Sequence, residues 1–133
     1  MNDTIEGEFD VTTIPQPPEP NPDFAAVSRL LLDKRFHGPL DAVSRGQMLA
    51  MGGESGWGVY VAMEKVEGTL EGRSGSFVLY HNGTMTPDGQ QLTVTVAPQS
   101  GTGALGGLTG RMAIEIRDGK HFYTFDYSLG RGG

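Results

Sequence analysis

Tyr60 and Glu64 stand four residues apart in Trp57–Leu70, a stretch patterned as a long β-strand, so both side chains leave the same face with Ala62 between them. A phenol and a carboxylate on one wall can bind a polar group or serve as general acid and base. If that face points inward, loss of water raises the carboxyl pKa and makes Glu64 a candidate catalytic residue. If the other face points inward, Val59, Val61 and Met63 form the core and Tyr60 and Glu64 are solvated. The apolar character of the odd-numbered face favours this second orientation.

His37, His81 and His121 could join Glu64 or Asp126 around a metal, but none has the spacing of a ligand set, and no metal site is assigned. His81 shares a face with Phe77 and Leu79, and His121 shares one with Tyr123, Phe125 and Tyr127, which places both at strand ends near a mouth. Tyr60, Glu64, His81 and Tyr123 are therefore the candidate polar contacts of a ligand. Asp118, Lys120 and Asp126 form a further constellation, in which a carboxylate beside a lysine or a backbone carbonyl promotes self-processing if burial activates it. The competing reading of Asp118-Gly119 is a plain turn former. Serine-hydrolase chemistry is excluded, because the chain has no G-x-S-x-G elbow.

The run Ser100–Gly110, SGTGALGGLTG, has the look of a phosphate loop, yet it leads into Met112, Ile114 and Ile116, which alternate with period two. A dinucleotide site needs a helix at that point. The glycines instead let a strand turn and cross closely over a neighbour.

The elements that must position these residues read as strands throughout. Ile5–Ile14 has Ile5, Phe9 and Val11 on one face, and Pro-rich residues 15–22 follow as an edge connection that keeps the first strand from pairing with another chain. A short helical turn fits residues 23–27. Ser28–His37 alternates through Leu30, Leu32, Lys34 and Phe36, and Leu40–Met51 follows the turn at Gly38-Pro39, with Gly46 as a bulge or bend. Trp57–Leu70, Gly75–Thr84, Gln91–Ala97, Arg111–Arg117 and His121–Leu129 complete eight strands, the last two joined by a tight hairpin. Residues 130–133 form a tail. The fold class is all-β, a single domain over 1–133 built as an antiparallel meandering barrel of about eight strands, or a related sandwich. At eight strands the interior is either filled or just wide enough for one small ligand.

Sixteen acidic and ten basic residues give a formal charge of −6, and the basic residues are scattered, which argues against nucleic acid as a partner. The chain has no cysteine, so disulfides and thiol chemistry are excluded and a reducing, cytoplasmic setting is expected. Early acids and the lack of an apolar run argue against a secretory signal or a membrane span.

Tyr60–Glu64, Gly68–Phe77, His81-Asn82-Gly83-Thr84, Ser100–Gly103 and Asp118–His121 together resemble a bacterial family classified as domain of unknown function 3224. The resemblance runs from the first strand to Leu129 and implies a small barrel of the type shared with plant allene oxide cyclases. Ala104 stands where the family pattern usually carries an acid. The resemblance implies no established reaction.

The expectation is a barrel that binds a small, mainly apolar molecule and needs no cofactor. Three alternatives stay open: a cyclase or isomerase that uses the Glu64 carboxylate, a self-processing protein, and a filled barrel that acts through protein contacts, including a homo-oligomer.

Overall fold

The structure, a computed structural model, describes residues 2–52 and 55–130. Eight strands follow one another around a closed ring: β1 (Asp3–Pro15), β2 (Ser28–Phe36), β3 (Leu40–Gly52), β4 (Gly58–Leu70), β5 (Arg73–Thr86), β6 (Gly89–Val96), β7 (Leu108–Arg117) and β8 (Lys120–Leu129). All neighbours are antiparallel, and β1 pairs with both β2 and β8. β1 is thus not an edge, and the Pro-rich segment has none to protect. It leads instead into a single 3₁₀ turn at Pro22–Phe24, where the Asn21 side chain accepts from the Asp23 amide. The loop between β3 and β4 falls partly on residues 53 and 54, outside the described ones.

The two ends of the barrel differ. One is packed shut by Leu40, Val66, Leu70, Phe77, Leu105 and Phe125, all at most 1% exposed, each contributing about 1.5–3 kcal/mol by burial. Leu105 reaches this core from the glycine-rich run. There Thr102 and Ser100 take over the lower edge of β5: the Thr102 amide donates to Ser76 O at 2.8 Å, and the Val78 amide to Ser100 Oγ at 3.0 Å. A Cβ on Gly75 would lie 2.1 Å from Thr102 O, so the run works by close backbone approach, as its strand context indicates.

Gly46 is not a bulge. It is paired in register with Leu32 on one side and Glu64 on the other, and a Cβ there would meet Glu64 Cα at 2.6 Å. Its role is to let β3 lie close to β4 beside Glu64.

One seam of the ring is short. β6 and β7 share only Val94↔Met112 and Thr95↔Arg111, whereas β7 and β8 pair from Leu108 to Arg117. Towards the other end of the barrel, Gly89–Thr93 and Ala113–Arg117 have no ladder between them.

The orientation of β4 reverses the expected one. Val59, Val61 and Met63 are exposed on the outside, and Tyr60, Ala62 and Glu64 face inward. The lower half of the strand decides this: Val66 and Leu70 must enter the core, Lys65 and Glu67 must stay in water, and a period of two carries the choice along the strand. The outer face of β3–β5 consequently displays Leu49, Met51, Val59, Val61, Met63 and Tyr80, with Leu49 opposite Val61 and Met63 opposite Tyr80.

Candidate functional site

Inside the barrel, four strands bring four polar side chains to one point. Lys34 of β2, Ser44 of β3, Glu64 of β4 and His81 of β5 are all at most 6% exposed. Lys34 alternates with Leu32 and Phe36 on an otherwise apolar face, and the meander places β3 between it and Glu64. The Glu64 carboxylate accepts from Lys34 Nζ at 2.8 Å and His81 Nε2 at 2.5 Å on one oxygen, and from Ser44 Oγ at 2.7 Å on the other. No buried side-chain polar atom among the described residues lacks a partner.

Burial pushes the Glu64 carboxyl upward, but the His81 hydrogen bond and the Lys34 charge outweigh it and hold the group down at about 2. Desolvation alone, the effect expected from the sequence, has the opposite sign. An ionised carboxylate only accepts, so Nε2 of His81 carries a proton towards it, and in the neutral imidazole the lone pair is then on Nδ1. That nitrogen lies 3.5 Å from the Tyr60 hydroxyl, at the outer limit of a hydrogen bond. Burial and the Glu64 charge push this hydroxyl up to about 12, so it remains a donor.

Above this cluster the barrel is hollow. A cavity of about 450 Å³ opens at the end opposite the packed core. Phe9, Val11, Leu32, Met48, Leu92 and Ile114 supply apolar wall, while Lys34, Tyr60 and His81 supply polar groups. The Lys34 ammonium lies 5.2 Å from the Phe9 ring centre and 5.9 Å from that of Phe36, which favours its charge in a dry setting. Lys34 and Ser44 are absent from the sequence-derived candidates. The signal for Lys34 was a single lysine in an alternating apolar face, which a buried counter-charge explains.

The other candidates separate. Glu64 does not line the cavity but sits behind Lys34 and His81, so it acts on them and not on a ligand. Tyr123 does not line it either: its hydroxyl donates to His37 O at 2.8 Å and accepts from the Leu40 amide at 3.2 Å, closing the β2–β3 turn. His121 stands at the mouth, its ring tilted 50° against Phe9 with centroids 5.2 Å apart, whereas His81 lies deeper than a rim position. His37 is outside, 2.8 Å from Asp10. Asp118 and Lys120 occupy the exposed β7–β8 hairpin, Asp118 with φ +52°, and Asp126 is exposed and bonded to Thr4. The burial that self-processing requires is absent at all three. No metal-sized group of three His, Asp or Glu side chains converges among the described residues, and no helix there is long and apolar enough to cross a membrane.

Comparison with known proteins agrees with this architecture. The model of a family described as a protein of unknown function, DUF3224, matches residues 5–127. A crystal structure of a protein of unknown function from that family in Shewanella oneidensis MR-1 is 42% identical. It superposes with a TM-score of 0.89, covering 98% of this chain and 100% of that one. No curated protein matches the chain. Ala104, where the resemblance expects an acid, is exposed in the 3₁₀ turn Gly103–Leu105 at the packed end, away from the cavity. The extent of the match makes the chain a member of the DUF3224 family, an eight-stranded barrel protein of unknown function.

Proposed function

We propose that the barrel binds a small, mainly apolar molecule carrying one oxygen-bearing end, which rests on Lys34, Tyr60 and His81. The observation that carries this reading is the cavity itself: about 450 Å³, open at one end, apolar along its walls and polar at its floor. An ammonium at the floor favours an acceptor or anionic oxygen, and the walls favour a hydrocarbon body. A cytoplasmic location belongs to the same proposal, supported by a chain without cysteine.

The test is titration with 1-anilinonaphthalene-8-sulfonate, followed by displacement with decanoate. Saturable fluorescence that decanoate reverses, and that Leu32→Trp abolishes by filling the cavity, supports the reading. Native mass spectrometry of gently isolated protein complements it by revealing any molecule retained from the host. A folded protein that neither takes up the probe nor retains a molecule overturns it.

The outer face of β3–β5 favours a second reading, association with another copy of the chain. Leu49, Val61, Met63 and Tyr80 are exposed neighbours across two strand pairs, and a two-fold axis through such a face sets like residues together. Light scattering decides it: a dimer that Val61→Lys with Met63→Lys converts to monomer supports this reading, and a wild-type monomer overturns it.

A further inference from the structure

We propose that His81 is a general base whose Nδ1 takes a proton from a carbon next to a carbonyl group of an apolar ligand, while Tyr60 and Lys34 hold the carbonyl oxygen. This rests on the binding reading above and adds a reaction to it.

Three observations support the assignment. First, the Glu64 contact fixes Nε2–H and leaves the Nδ1 lone pair on the Tyr60 side of the ring, in a residue that lines the cavity. Second, the only partner of Nδ1 among the described residues is the Tyr60 hydroxyl at 3.5 Å. A bond that long is readily exchanged for one to a ligand oxygen, which frees the nitrogen as the ligand arrives. Third, the Lys34 ammonium has three N–H groups, and among the described residues only one is used, on Glu64. The other two are available to a developing oxyanion at the floor of the cavity, where Lys34 itself is 6% exposed.

The step balances without a co-reactant. The C–H bond breaks and its proton goes to Nδ1. Its electron pair forms a carbon–carbon double bond, and the carbonyl π pair moves to oxygen, which Tyr60 and Lys34 stabilise. Return of the proton from Nδ1 to another carbon of a conjugated enolate regenerates neutral His81 and leaves an isomer. The substrate class is therefore an apolar unsaturated ketone or lactone whose acidic C–H gives a conjugated dienolate on deprotonation. Glu64 is a positioning residue, holding the imidazole tautomer and stabilising the imidazolium.

The probe is 5-nitrobenzisoxazole, a flat apolar C–H acid. Removal of its ring proton breaks the N–O bond and releases a coloured cyanonitrophenolate. Saturable turnover by the wild type, reduced by about 100-fold or more in His81→Gln, is the expected result. In Glu64→Gln the midpoint of the pH–rate profile moves to lower pH, because the imidazolium loses its counter-charge; a purely structural role leaves that midpoint in place. The groups facing His81 are Glu64 and Tyr60 of β4 and Lys34 of β2, with His121 of β8 and Glu115 of β7 on the same cavity. Should these variants fail to fold, the ¹⁵N shifts of the wild-type histidines still decide: a protonated Nε2 on neutral His81 is required, and a protonated Nδ1 overturns the proposal. A protein that binds 1-anilinonaphthalene-8-sulfonate but eliminates no faster than free imidazole overturns the base and leaves binding intact. Elimination that survives His81→Gln overturns the base as well, and failure of both binding and elimination overturns the two readings together.

Discussion

Gly83 of β5 stands directly opposite Tyr60 of β4, and a Cβ at Gly83 would come within 2.3 Å of Tyr60 Cε1. The ring lies in the space that the missing side chain leaves, and that placement sets the hydroxyl beside His81. Gly83→Ala is expected to force the ring away from His81 and to cost about 1–3 kcal/mol by overpacking. Urea unfolding measures the cost, and a lowered tyrosine pKa in ultraviolet titration reports the ring's move towards water. An unchanged titration would show that the glycine does not place the ring.

The carboxyl of Glu64 is held at about 2, below the 4.5 of a free glutamate. Because the folded value is the lower one, the contribution is fully present above about pH 4.5 and is lost as the pH falls towards 2. The stability gap between wild type and Glu64→Gln should be on the order of 3 kcal/mol near neutral pH and shrink through that window. Urea midpoints across the range measure it, and a gap that widens on acidification contradicts the assignment.

Lys34 and Glu64 should couple strongly. Lys34→Met alone leaves a buried carboxylate with less compensation and is expected to cost about 3–5 kcal/mol, while Lys34→Met with Glu64→Leu recovers much of that loss. A double-mutant cycle in urea gives the coupling directly. Additive losses would mean that the ion pair is not formed.

The short β6–β7 seam should also be the weakest part of the wall. Amides of Gly89–Thr93 and Ala113–Arg117 that face the gap are expected to exchange with deuterium well ahead of those in the β4–β5 ladder, which runs from Gly58 to Leu70. Peptide-resolved exchange checks this, and equal protection in the two regions refutes it.

The barrel was legible because its connections carry their own chemistry: Gly38-Pro39, Pro87-Asp88-Gly89 and Asp118-Gly119 mark turns, and the segments between them alternate. The inward face of β4 was harder, since Tyr60-x-x-x-Glu64 looks polar beside Val59, Val61 and Met63. Its lower half, with Val66 and Leu70 against Lys65 and Glu67, held the answer within the same strand. The Lys34–Glu64 pair was beyond reach, because thirty residues separate its members and only the register of β2–β3–β4 brings them together across β3. Tyr123 misled for a related reason: an inward tyrosine near an apolar stripe suits a ligand wall, and its bonds to the β2–β3 turn are visible only in three dimensions.

The missing rungs between β6 and β7 give the cup a slit in its side. On the proposed binding reading, a molecule held at the floor by one oxygen would not have to fit wholly within the walls, because Leu92 and Ile114 line the cavity where the ladder is missing. Selection by such a vessel would then act on the girth of the guest and the chemistry of its tip, and would leave its length free.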